Sequence, residues 1–157
     1  MRRTFLFFVS CIFTIALLSC GSDNGSEEIK TKVQEVDDIC PALIWDGWIC
    51  QSVDYEGNQV TFTIKDKYEL NDEMLEASHT ELKKAAKWWV EEFSEAYAYA
   101  RVDDDVEGDS ELYTRVFPLI KAMVDNGTGL KIKWVDSDGN KVSATLSSYE
   151  VKKATML

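Results

Sequence analysis

Apolar residues recur along this chain in three rhythms, and each rhythm predicts a different kind of element. From Thr4 to Leu18 they are nearly continuous, broken only by Thr and Ser and preceded by Arg2 and Arg3. The run falls short of the ~20 residues a membrane span requires, and the polar stretch Gly21-Ser22-Asp23-Asn24-Gly25-Ser26 follows at once, so residues 1–19 read as a cleaved secretory leader. Residues 20–26 then have the composition of a flexible tether.

Helical spacing begins after the tether. Ile29, Val33, Val36 and Ile39 or Cys40 predict an amphipathic helix capped by Ser26, with Glu27 and Glu28 in its first turn and Pro41 forbidding its continuation. The rhythm then changes to alternation. Two strands are predicted, residues 47–55 and 58–66, joined by the turn Glu56-Gly57-Asn58; Val60, Phe62 and Ile64 point one way and Thr61, Thr63 and Lys65 the other. Ser78-His79-Thr80-Glu81 is a capping box opening the longest helix, whose stripe is Leu82, Ala86, Trp89, Phe93, Ala96 or Tyr97, and Ala100. A second helix is predicted over residues 109–124, carrying Leu112, Val116, Leu119, Ile120 and Met123; Pro118 should kink or restart it, and Asn126 or Gly127 should end it.

Alternation returns in residues 130–135 and 141–147 around Asp136-Ser137-Asp138-Gly139-Asn140, a strong hairpin signal, and Ser147 to Glu150 predicts at most a short final helical turn. The expected fold is therefore α+β: an antiparallel sheet of two hairpins with helices packed on one face, in the order α-ββ-αα-ββ. The expected organisation is a signal peptide at 1–19, a lipidated Cys and tether at 20–26, and a single domain at 27–157.

The lipidation rests on a resemblance. Leu17-Leu18-Ser19-Cys20 resembles the lipobox of bacterial lipoproteins, in which the Cys thiol receives a diacylglycerol and the chain is cut before it. The new amino group is then acylated with a fatty acid such as palmitate. The resemblance implies that Cys20 is the mature N-terminus, and that more than one acyl chain anchors the protein stably to a membrane. Gly21 rather than Asp follows the Cys, which by similarity to enterobacterial sorting implies the outer membrane, facing the periplasm or the cell surface. From Cys40-Pro41 onward the pattern also resembles small lipoproteins of gut-type Gram-negative bacteria, a similarity that implies compartment and fold and carries no activity.

Charge narrows the partners. The formal net charge is −11, and loss of Arg2 and Arg3 with the leader makes the mature chain more negative still, which argues against nucleic acid and against an anionic membrane surface. Of the four Cys, Cys11 leaves with the leader and Cys20 carries lipid. Cys40 and Cys50 remain as an even pair in an oxidising compartment, and a disulfide between them is expected.

Catalytic chemistry has little to stand on. The single His, His79, lies in the first turn of a helix, where capping geometry points it at solvent. No Gly-rich phosphate loop, His-Glu-x-x-His or Cys-x-x-Cys occurs, and the abundant carboxylates fall in polar runs where nothing would raise a pKa. The sharpest ligand-like stretch, residues 103–111, resembles an EF-hand loop through Asp103, Asp105, Glu107, Gly108, Asp109 and Glu111. The bidentate Glu at the twelfth position is replaced by Thr114, so any Ca²⁺ site there is weak. No other cofactor is indicated.

Five Trp are many for a small domain. Trp89 and Trp134 fall on core faces, whereas Trp45, Trp48 and Trp88 fit the stripes less well; they are either satellite packing or an exposed platform for a sugar or protein. The function expected is a lipid-anchored extracytoplasmic binding or interaction module for a protein or glycan, more in keeping with the chain than the alternative, a small extracytoplasmic hydrolase with an unrecognised active site.

Overall fold

A computed structural model describes residues 23–45, 47–66, 70, 72–100 and 110–155. The elements are α1 (Asp23–Asp37), β1 (Ala42–Trp45), β2 (Trp48–Glu56), β3 (Gln59–Asp66), α2 (Asp72–Leu75), α3 (His79–Ala100), α4 (Ser110–Asp125), β4 (Gly129–Val135), β5 (Lys141–Leu146) and α5 (Ser148–Ala154). The fold is α+β, with one five-stranded sheet in the order β1-β2-β3-β4-β5.

Both expected hairpins are present, β2-β3 and β4-β5. They join differently from the expectation of an antiparallel sheet throughout: β3 and β4 are parallel, Gln59 pairing with Gly129 and Lys65 with Val135. The physical reason is the crossover. The chain leaves β3, runs through α2, α3 and α4, and returns to the end of the sheet where β3 began, so β4 must run alongside β3 in the same direction. A junction at that end sets the register. Gly57 and Asn58 both take positive φ, 57° and 61°, the two-residue turn that matches strand twist. Asn58 then accepts a hydrogen bond from the Gly129 amide at 3.1 Å and donates its side-chain amide to the Gly127 carbonyl at 3.4 Å, placing the start of β4 beside the start of β3.

Three boundaries differ from the sequence reading. β1 was not expected; it is four residues long, pairs with β2 through Ala42↔Cys50 and Leu43↔Ile49, and carries a register shift that the short alternation of Ala-Leu-Ile-Trp does not announce. α1 begins at Asp23 rather than Ser26. α4 runs through Pro118 as one element. Seven of its side chains are buried, Leu112, Tyr113, Val116, Leu119, Ile120, Ala122 and Met123. At ~1.5–3 kcal/mol for each large apolar side chain, that burial outweighs the ~3 kcal/mol a helix-interior proline costs.

The helices cover one face of the sheet. Val53, Val60, Phe62, Ile64, Leu130, Ile132, Trp134, Ala144 and Leu146 are buried on that face against Ile29, Val33 and Val36 of α1, the Leu82-Ala86-Trp89-Val90-Phe93 stripe of α3 and the buried stripe of α4. Polar ties fix the layers. The Tyr113 hydroxyl donates to the Ile44 carbonyl, the Arg115 guanidinium donates to the Glu35 carbonyl at 2.8 Å, and the Val53 amide donates to the Asp37 carboxylate at 2.9 Å. Asp136, buried at the β4-β5 turn, accepts from the Asn140 and Asp138 amides and from the Leu70 amide. Burial opposes its charge, but these hydrogen bonds win and hold its carboxyl below the usual range.

Both capping boxes form. Ser78 and Glu81 exchange hydrogen bonds at the start of α3, and Ser147 and Glu150 do the same at the start of α5. The second box starts a helix of seven residues rather than a single turn, because Val151 and Ala154 are buried beneath it.

Candidate ligand-binding site

The face of the sheet turned away from the helices is the surface the fold leaves open. Strand pairing arranges its side chains in rows: Thr61, Lys131 and Thr145 lie side by side on β3, β4 and β5, and Thr63, Lys133 and Ser143 form the next row. The third row is Lys65, Val135 and Lys141. Neighbouring strands are about 4.8 Å apart and successive outward residues about 6.7 Å apart, so four ammonium groups and four hydroxyls share a patch roughly 10 Å by 13 Å. Lys65, Lys141, Ser143 and Thr145 are exposed; Thr61, Thr63, Lys131 and Lys133, on the central strands, are half-buried along their stems. A shallow depression of about 340 Å³ lies over Lys131, Lys133, Lys141, Val142 and Ser143.

Electrostatics sets this patch apart from the rest of the molecule. Six ion pairs occur among the described residues, and every one joins helical side chains, such as Lys32 with Glu35, Lys83 and Lys87 with Glu150, and Lys121 with Asp125. None of Lys65, Lys131, Lys133 and Lys141 is in an ion pair. Among the described strand residues, the carboxylates on this side of the sheet belong to Asp54 and Glu56 on β2, paired across to Thr61 and Gln59 and separated from the lysines of β4 by the whole width of β3. At the other end of β2 the third row continues over Ile49 to Leu43, which is 47% exposed. The chain as a whole carries −11, yet this face is locally positive.

The aromatic corner takes a different form from a flat platform. Trp48 pairs with Asp66 across the β2-β3 ladder and therefore points to the helix side, where it is half-buried against the core. Its ring meets Trp89 edge-on at 5.7 Å, and Trp89 meets Trp88 edge-on at 6.1 Å. Trp88 remains 46% exposed. The backbone of Trp45 pairs with Trp48 at the end of β1.

Cys40 and Cys50 are brought together. Both are thiols here, with sulfurs 3.5 Å apart, Cys50 fully buried on β2 and Cys40 half-buried in the connection between α1 and β1. The hydrogen bond between them lowers the Cys40 pKa, while the same hydrogen bond and burial raise that of Cys50. Cys40 is thus the more accessible and the more readily ionised partner.

His79 opens α3 and is exposed. A small apolar hollow of about 230 Å³ lies between α2 and α3, over Met74, Ala77, Leu82 and Ala85. Among the described residues, no three His, Cys, Asp or Glu side chains are placed to hold a metal ion, and no helix is long and apolar enough to cross a membrane. Cys20 and the acidic stretch Asp103, Asp105, Glu107 and Asp109 lie outside the described residues; Glu111 is in the first turn of α4, where it pairs with Arg115.

The lysine face was missed from sequence, although its signal was present. Lys131 and Lys133 alternate with core residues, as do Lys65 and Lys141, but the first hairpin alone shows one of them and the second three. No protein-family model matches the chain, and no curated protein matches it. Among solved structures it is similar to a Pseudomonas aeruginosa protein described as "a putative secreted protein", at a TM-score of 0.45 and 14% identity, over 85% of this chain and 97% of that one.

Proposed function

We propose that this protein is a lipid-anchored extracytoplasmic binding module that engages its ligand through the open face of its sheet. The observation that carries the reading is the array of four unpaired lysines interleaved with hydroxyls on a surface that the helices leave free. A charged group exposed without a partner costs little and can be satisfied by an incoming ligand, and a flat sheet face presents several such groups in a fixed spacing. The leader and the lipobox ending at Cys20 add the setting, a domain held at a membrane among components of the envelope, although α1 takes up most of the stretch expected as a tether. The apolar end at Leu43 and Ile49, in the same row as Lys65, would flank such a contact, whereas Trp88 lies on α3 in the helix layer across the sheet.

The experiment is cosedimentation of the full-length chain with isolated cell envelopes, comparing the wild-type face with K131Q/K133Q/K141Q, both in a Cys20→Ser background where acyl insertion plays no part. Binding by the wild type that the triple variant loses supports the reading. Equal binding by both removes it, and turnover of an ester, glycoside or peptide panel by the wild type would favour the hydrolase alternative.

A further inference from the structure

We infer that the ligand of the open sheet face is an anionic polysaccharide, lying across β3, β4 and β5 with its acidic groups at Lys65, Lys131, Lys133 and Lys141. This rests on the binding-module reading above and names the chemical class of what is bound.

Charge complementarity is the first argument. In a chain with 28 acidic and 17 basic residues, five lysines of the helices, Lys30, Lys32, Lys83, Lys87 and Lys121, are paired with carboxylates, whereas these four are not and lie together on one face. Their potential is uncancelled at short range, while the negative charge elsewhere is screened beyond about 8–10 Å. An anion close to the sheet therefore meets the local positive field and not the net charge.

The second argument is the interleaving. Each lysine of β4 has a hydroxyl residue on both sides, Thr61 and Thr145 beside Lys131, Thr63 and Ser143 beside Lys133. Hydroxyls both donate and accept, which suits a polyol, and ammonium groups suit its acidic substituents. Lysine is a compact point charge on a flexible stem and does not impose the fixed fork geometry of arginine, so the array tolerates the variable approach of a repeating polymer.

Other occupants fit less well. A protein interface is centred on apolar and aromatic side chains and is poor in lysine, yet this patch has Val135 alone among four lysines. A single-stranded nucleic acid needs aromatic platforms for its bases, and none of the patch positions is aromatic. An anionic bilayer is a plane wider than the patch, so it would also press on Asp54 and Glu56 of the same face.

The test uses the full-length protein and polygalacturonate as the probe, with neutral dextran as its control, by titration calorimetry at low salt. Two variants of equal charge change are compared, K131Q/K133Q/K141Q on the face and K84Q/K152Q/K153Q on exposed helix positions, each checked for an unchanged melting temperature. We expect wild type to bind polygalacturonate and not dextran. The face variant should weaken binding at least about tenfold and the helix variant less than about twofold, since only the first removes charges that the polymer touches. Absence of polygalacturonate binding, equal loss in both variants, or tighter lysine-dependent binding to phosphatidylglycerol vesicles would each overturn the inference. If polygalacturonate fails while envelope cosedimentation still depends on the face lysines, the polysaccharide assignment falls and the binding face stands. If both are insensitive to the lysines, both fall.

Discussion

Trp48 of β2 meets Trp89 of α3 edge to face, with ring centroids 5.7 Å apart and planes inclined at 70°. The contact closes the gap between the β1-β2 end of the sheet and the longest helix, and Phe93, 5.6 Å from Trp89, continues the packing inward. Trp88, the residue before it on α3, also meets Trp89 edge-on and keeps nearly half its surface in water. Neighbouring tryptophans in the sequence thus have opposite duties, because successive helical residues are rotated by ~100°.

Truncating them should separate those duties. Trp48→Ala is expected to destabilise the fold by about 3 kcal/mol, in the range for a well-packed aromatic, and Trp88→Ala by less than about 1 kcal/mol. Chemical denaturation of the two variants checks this. A loss of equal size in both would mean that Trp88 is a packing residue and is not available to a ligand.

The thiols of Cys40 and Cys50 are placed to join. We expect a disulfide in protein exported to an oxidising compartment, closing a loop between residues ten apart and adding roughly 2–3 kcal/mol of stability. Thiol labelling of denatured, unreduced protein reads the outcome directly. Two labelled cysteines would show that the pair stays reduced and serves as small buried packing.

Acid should weaken the α3-α5 junction. The Glu150 carboxylate accepts from the Ser147 amide and lies 3.2 Å from the Lys83 ammonium, and these interactions overcome desolvation to bring its pKa down to about 2 from an ordinary 4.5. A depressed carboxylate pKa stabilises the fold above the unfolded value and loses that contribution as the pH falls toward the folded one. Stability attributable to Glu150 is therefore complete above about pH 5 and declines from there toward pH 2. Glu150→Gln should flatten part of that acid slope in a series of melting curves; an unchanged slope would remove Glu150 from the list of causes.

Anchoring should depend on one atom. Cys20→Ser removes the thiol that the lipobox resemblance assigns to diacylglycerol, and the variant should leave the detergent phase and lose the acyl mass. Phase partitioning with intact mass spectrometry measures both. A variant that remains membrane-bound with unaltered mass would show that the leader is of another kind.

How much of this molecule could be read from its sequence depends on how local the cause is. Hydrophobic rhythm placed the helices of α1, α3 and α4 and the strands of both hairpins, because a 3.6-residue or 2-residue period is imposed by the backbone itself. Capping at Ser78 and Ser147 and the turn at Gly57-Asn58 were legible for the same reason: the groups that satisfy each other are within a few residues. What failed was whatever needed a distant neighbour. β1 is a strand only because β2 gives it a partner, and α4 continues through Pro118 only because the sheet and α1 reward its buried stripe.

The sequence by itself determined the cysteine inventory, the amphipathic elements and a strongly acidic balance. The tertiary structure alone decided where that balance is broken. Lys65 closes the first hairpin and Lys131, Lys133 and Lys141 lie in the second, with the helical crossover between them; they share a face because the return of the crossover makes β4 parallel to β3 in a register that pairs Lys65 with Val135. Composition sums charges without regard to position, whereas Coulomb interaction falls with distance and is screened by salt. An acidic chain can therefore carry a basic surface, and only the pairing of strands shows where it is.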